Sequence, residues 1–235
     1  MTPSSSPFVP ALIIVDFQED FCPPSGSLAI PNGRDIAPAV NELLSLPSLA
    51  ARIATQDWHP ADHISFAANH AGKQPFADTI TVVNPHNASE SYETRLWPVH
   101  CVQGTSGAEL VPELHVGDVG DDLLVIKKGT DARVEMYSAF YDPFESPRVS
   151  DSGLARALRD RGVTHVYVVG LAFDYCVSAT AKDAAKEGFV TYVVEEGTRA
   201  VDAAGWKKCK EGLGDVGVKV VSMEGEEVQR LKAAA

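Results

Sequence analysis

His165-Val166-Tyr167-Val168-Val169-Gly170-Leu171-Ala172-Phe173-Asp174-Tyr175-Cys176, continued by Val177-Ser178-Ala179-Thr180-Ala181, is the stretch on which the fold turns. An apolar, β-branched run breaks at Gly170 and resumes as an Ala-rich helical pattern. That reads as a buried strand, a tight turn and a helix start, with Cys176 in the first helical turn. The N–H groups and dipole of a helix N-terminus stabilise a thiolate and lower its pKa, so the position suits a nucleophile. The alternative is a buried cysteine that packs as a small hydrophobe.

The same grammar recurs on both sides. Apolar runs at 8–15, 52–56, 122–127, 189–194 and 216–221 read as further strands, and helical spacing covers 35–46, 151–161, 174–187, 200–211 and 224–234. Six strands alternating with helices imply a three-layer, doubly wound α/β fold with an all-parallel sheet. In the order 3-2-1-4-5-6, strands 1 and 4 are neighbours at the switch point, so Asp16 and Cys176 face each other across the crevice. Residues 72–120 break the rhythm with many turn-formers and one strand-like run at 79–83, and read as a cap over the strand ends. No G-x-G-x-x-G or Walker A sequence follows any strand, which speaks against a nucleotide enzyme.

Several residues carry chemistry at these strand ends. Asp16 closes the first strand, where ligands bind in open α/β sheets, although an Asp there also serves as a turn cap. Asp57 and His59 point to the same side of an extended segment, two-thirds of a facial metal site, and His100 is available as the third ligand. If His100 faces the site, its neighbour Cys101 faces away. One of Lys127 and Lys128 should meet Asp16 and Cys176; the plain alternative is that both are solvated. Tyr137, Phe140, Tyr141 and Phe144 line a pocket or cover the core. His63, His70, His86, His115 and His165 lack a carboxylate at ligand spacing and read as surface or structural residues.

The chain has 235 residues, 45% hydrophobic and 22% charged, with no linker dividing it, and is expected to form one domain over 1–235. A formal charge of −12 argues against nucleic acid or an anionic membrane surface as partner. The first seven residues lack a basic n-region and the last five are not a peroxisomal signal, so a cytoplasmic location is expected, a nuclear one being compatible. Four widely spaced cysteines without a Cys-x-x-Cys pair point to reduced, independent thiols.

The motifs Val15-Asp16-Phe17-Gln18, Asp57-Trp58-His59-Pro60, Trp97-Pro98-Val99-His100-Cys101, Lys128-Gly129-Thr130-Asp131, Tyr137-Ser138-Ala139-Phe140 and Gly170 to Val177, in this order, resemble the isochorismatase-like cysteine hydrolases. Within them the chain most resembles the nicotinamidases of the fungal type, over roughly residues 11–221. The resemblance implies Cys176 as nucleophile, Asp16 as general base and Lys128 as third member of the triad. It implies Asp57, His59 and His100 as ligands of one divalent metal, zinc first, with iron or manganese as alternatives. It also implies Phe21, Trp97, Tyr137 and Tyr175 around a pyridine ring, and a cis peptide before Ala172 with the Ala172 and Cys176 amides as oxyanion hole. Glu19 departs from the family run, where many members carry Asn.

The expected reaction is hydrolysis of nicotinamide to nicotinate and ammonia through a thioester, in NAD salvage, with pyrazinamide as a side substrate. The expected partner is that small molecule, and a homo-oligomer is compatible with the sequence. A carbamoyl or ureido amidase of the same fold is the nearest alternative, but such relatives typically lack the metal set. An isochorismate hydrolase would need no cysteine nucleophile. A non-catalytic binding protein that kept the fold would be expected to lack a triad member.

Overall fold

The computed structural model describes residues 7–234; the terminal stretches read above for targeting signals lie partly outside them, at 1–6 and 235. The strands are β1 (Pro10–Val15), β2 (Ala51–Asp57), β3 (Thr79–Asn84), β4 (Asn87–Arg95), β5 (Leu123–Lys128), β6 (His165–Leu171), β7 (Val190–Arg199) and β8 (Lys219–Val221). The helices are α1 (Ala37–Leu44), α2 (Leu154–Asp160), α3 (Ser178–Lys186), α4 (Trp206–Gly214) and α5 (Glu226–Ala233). Six strands pair in parallel in the order β5-β2-β1-β6-β7-β8, which is 3-2-1-4-5-6 when the hairpin strands are set aside.

Alternation along β1 and β6 explains why both strands are apolar throughout. Leu12, Ile14, Tyr167 and Val169 face α1 and α5 through Val40, Leu43, Val228 and Leu231. Ala11, Ile13, Val166 and Val168 face the other way, toward α2, α3 and α4. A parallel strand covered on both faces has no solvent side on which polar residues would be tolerated. Gly170 is fixed by a close approach: at φ +111°, a Cβ there would lie 1.9 Å from the Val15 carbonyl oxygen of the paired strand.

Three elements differ from the sequence reading. The segment 72–120 contains an antiparallel hairpin, β3 with β4, where only one strand was expected. β4 reads Asn-Ala-Ser-Glu-Ser-Tyr-Glu-Thr-Arg and is largely solvated, so it has no apolar alternation to announce it. β7 runs on to Arg199, because after an irregularity its pairing with β6 resumes at Gly170 opposite Thr198. The helix expected from residue 174 opens instead with a π-turn at Phe173–Val177, before α3 begins at Ser178. Ala172 is extended, and its carbonyl accepts from both Tyr175 N (3.1 Å) and Val177 N (3.0 Å), which widens the turn that carries Cys176. Among the described residues no helix is long and apolar enough to cross a membrane.

Candidate active site

Register brings the chemistry together. Val15 pairs with Gly170 and Asp57 with Lys128, so the C-terminal ends of β1, β2, β5 and β6 deliver Asp16, Asp57, Lys128 and the Cys176 turn to one crevice. Lys128 is 1% exposed, and its Nζ lies 2.9 Å from Asp16 Oδ2, 2.5 Å from Asp57 Oδ1 and 3.3 Å from Cys176 Sγ. It also donates to the Met136 carbonyl at 3.2 Å. Of the two candidate lysines, the other, Lys127, is exposed and rests its ammonium 3.4 Å above the Trp58 ring.

Asp16 is held in the left-handed region at φ +46°, a conformation that costs a non-glycine residue on the order of 1 kcal/mol or more. It persists because Thr55 grips it twice: Thr55 Oγ1 donates to Asp16 Oδ1 at 2.6 Å and accepts from Asp16 N at 3.1 Å. Gln18 fixes the neighbouring strand end in the same manner. Its side-chain amide donates to the Asp57 carbonyl at 2.9 Å while its Oε1 accepts from Asp57 N at 2.8 Å.

Burial pushes the Asp16 carboxyl up to about 6, against the pull of Lys128. Burial would lower Lys128, but Asp16 and Asp57 hold it well above the usual ammonium value. Burial would raise Asp57, yet Lys128 and His59 keep it far below the usual carboxylate range. Cys176 corrects the sequence reading: burial pushes its thiol well above the ordinary value even with Lys128 beside it. Raised by burial, the thiol needs a nearby base to give up its proton. A carboxylate oxygen of Asp16 is within 4.8 Å of the sulfur.

Asp57, His59 and His100 are all buried and bring one ligand atom each within 4.8 Å of one another. The donor set fits a divalent ion. His59 Nδ1 is 2.9 Å from the Gly129 carbonyl and His100 Nδ1 is 2.8 Å from that of Pro98. A carbonyl only accepts, so both rings carry the proton on Nδ1 and present Nε2 inward. His59 Nε2 is buried without a hydrogen-bond partner. Two buried carboxylates against one buried ammonium also leave negative charge that a cation offsets. Asp57 raises the His59 pKa against its burial, so a proton and a metal compete for Nε2. A second buried trio of donor residues, Asp16, Asp57 and Cys176, already encloses the Lys128 ammonium.

Gly129 shapes this corner: at φ +63°, a Cβ would stand 2.4 Å from His59 Cε1. Cys101 is buried and outside the ligand trio, its N–H donating to Asp20 Oδ2 at 2.7 Å. Of the remaining histidines, His63 is buried under the His59 ring (4.0 Å between centroids) and tied to Ser65 and the Val134 carbonyl, while His165 packs against Phe8 and Tyr192. His86 and His115 are exposed and His70 is half-buried.

Beside the Lys128 cluster lies a small cleft, with Phe21, Trp97, Tyr137 and Tyr175 in its walls and Asp57, His100, Ala172 and Cys176 in its lining. Trp97 meets Tyr175 edge-on at 4.7 Å, and Tyr137 lies 5.5 Å from Tyr175. The Leu171–Ala172 peptide is cis. Leu28, Ile30 and Val201 also line the cleft. The sequence did not mark them, since they come from turn-rich loops, and Val201 is placed by its N–H to Asp174 Oδ1 at 2.9 Å. Glu135, buried beside this group with its Oε1 on Met136 N at 2.9 Å, carried no sequence signal either.

A family model described as Isochorismatase domain matches residues 10–225. The chain is 45% identical over 195 residues to a nicotinamidase of Acinetobacter baylyi, covering 83% of each. Its structure superposes on yeast nicotinamidase bound to the inhibitor nicotinaldehyde with a TM-score of 0.85, at 35% identity, covering 91% of this chain and 100% of that one. It superposes on a pyrazinamidase of Pyrococcus horikoshii in complex with zinc with a TM-score of 0.69, at 35% identity, covering 91% and 98%. With strand order, crevice and sequence in agreement over most of its length, the chain belongs to the isochorismatase domain family, in its nicotinamidase group.

Proposed function

We propose that this protein is a cysteine amidohydrolase that converts nicotinamide and water to nicotinate and ammonia in NAD salvage. The observation that carries the reading is the placement of one buried ammonium, Lys128, against Asp16, Asp57 and Cys176 at the floor of an aromatic cleft. We also read the chain as one catalytic domain in which residues 72–120 serve as the cap.

Asp16 accepts the Cys176 proton, which its raised pKa of about 6 makes it basic enough to do. The sulfur attacks the carboxamide carbon, and the Ala172 and Cys176 amides receive the developing oxyanion, a role in which one donor is worth roughly 3–4 kcal/mol of barrier. Asp16 returns the proton to the departing ammonia, leaving a thioester on Cys176. Water, deprotonated by Asp16, then attacks the thioester; nicotinate leaves and the thiol is restored. Lys128 keeps Asp16 ionised and steadies the charge passing between carboxylate and sulfur. Phe21, Trp97, Tyr137 and Tyr175 bound a flat ring and exclude water. Asp57, His59 and His100 would hold a divalent ion, which would supply Lewis-acid chemistry toward the ring. Zinc is the first choice, as in the Pyrococcus horikoshii relative, and the Asp/His/His set also suits iron or manganese.

Parallel assay of nicotinamide, pyrazinamide and a panel of carbamoyl and ureido amides tests the substrate. Turnover of nicotinamide above the panel, with pyrazinamide second, is the expected ranking. A ureido or carbamoyl amide turned over in preference to both ring amides would displace the proposal.

A further inference from the structure

One wall of the cleft is built by a loop with little regular structure. Phe21 ends a 3-10 turn at Glu19–Phe21, and Leu28 and Ile30 follow within the same loop. The loop folds on itself: Leu28 N donates to the Asp20 carbonyl at 2.9 Å and Ile30 N to that of Phe21 at 3.0 Å. Those two bonds join the cleft-facing residues to one another but do not anchor the loop to the body of the protein.

Two contacts tie the start of the loop to the body of the protein, Glu19 N donating to the Glu109 carbonyl at 3.0 Å and Cys101 N donating to Asp20 Oδ2 at 2.7 Å; Arg34 adds a side-chain tie that spans Phe21. Its guanidinium reaches the Glu19 carboxylate and the Pro23 carbonyl, so it grips the chain two residues before and two residues after Phe21. The third arm of the fork pairs with Glu113 Oε2 at 2.7 Å, and the Glu113 carbonyl is itself held by Asn41 of α1 at 2.7 Å. The planar fork of arginine suits three acceptors at fixed angles, whereas a lysine ammonium acts as a point charge. Arg34 and Glu19 side chains are 22% and 30% exposed, deep enough to order the loop and shallow enough for salt to weaken the grip.

We propose that Arg34 is a positioning residue for substrate: by clamping both flanks of Phe21 to Glu113, it holds the Phe21, Leu28 and Ile30 wall against the bound ring. The proposal rests on the reading of this cleft as the nicotinamide site. A loosened wall weakens ground-state and transition-state contacts alike, so its mark is on KM and not on kcat.

The test is Arg34→Met, with two readouts. KM for nicotinamide should rise about fivefold while kcat stays within about twofold. The Phe21, Leu28 and Ile30 amides should lose hydrogen-exchange protection while β1 and β6 keep theirs. Arg34→Lys should fall between, and in the wild type KM should climb with ionic strength. If Arg34→Met does not fold, Glu19→Gln carries both readouts. Unchanged KM and unchanged loop protection, or a lower Tm without a KM change, would overturn the clamp. A wild type that turns over some other amide but not nicotinamide would instead sink the substrate reading, and the exchange data would still decide the clamp.

Discussion

The ammonium of Lys128 lies 3.3 Å from the sulfur of Cys176, and neither side chain has more than a sliver of solvent contact. A lysine so placed is unusual unless paired, and Asp16 and Asp57 pair it from two sides. Removing it leaves two buried carboxylates facing each other. Lys128→Met should therefore cost about 3–5 kcal/mol of stability. Activity should fall by about a thousandfold or more. Denaturant titration and initial rates measure the two effects; wild-type stability in the variant would show that the pair contributes nothing to the fold.

As the proposed general base, Asp16 should set the acid limb of the pH profile. Its carboxyl is raised to about 6 and must be ionised to take the thiol proton, so activity is present above that value and lost as pH falls through it. kcat/KM should drop about tenfold per unit below roughly pH 6. A profile that stays flat from pH 7 to pH 4 would remove Asp16 as the base.

Metal content should separate His59 from His63, whose ring centroids lie 4.0 Å apart but which make different contacts. Purified protein should hold about one divalent ion per chain, lost in His59→Ala. His63 is engaged by Ser65 and the Val134 carbonyl, so His63→Ala should keep the ion and lose stability. Elemental analysis of both variants decides; retained metal in His59→Ala would dissolve the ligand assignment.

Thr94, on β4, braces the aromatic wall. Trp97 Nε1 donates to the Tyr137 hydroxyl at 3.0 Å, and that hydroxyl shares a second hydrogen bond with Thr94 Oγ1, also at 3.0 Å, in which either oxygen can donate. Thr94→Val removes this partner from the buried Tyr137 hydroxyl, a loss of about 1–3 kcal/mol. KM for nicotinamide should rise on the order of tenfold, and Thr94→Ser should restore it. Equal KM values for the valine and serine variants would show that the hydroxyl has no role.

The parallel core was legible because β1 and β6 are covered on both faces, and Asp16 and Cys176 because strand ends in such sheets are where ligands gather. Asp57 and His59 were legible through same-side spacing and His100 only as an available third ligand that the resemblance implied, while the inward Nε2 atoms of both histidines depend on the Gly129 and Pro98 carbonyls, which no spacing rule reports. The choice between Lys127 and Lys128 rests on which face of an edge strand is covered. Lys128 shares the buried side with Ile126, while exposed Val125 marks the other and hides the distinction in an apolar run. The π-turn was hidden because no spacing rule separates a single π-turn from the start of the α-helix that follows it. β4 was hidden because its outer face meets water.

In the proposed reaction Cys176 forms a covalent acyl intermediate with nicotinamide. Rapid acid quench during turnover, followed by peptide mass spectrometry, measures it directly. A nicotinoyl adduct on the Cys176 peptide in the wild type, with no adduct and no ammonia release in a folded Cys176→Ala variant, is the predicted result. Ammonia release by Cys176→Ala at the wild-type rate would contradict the account.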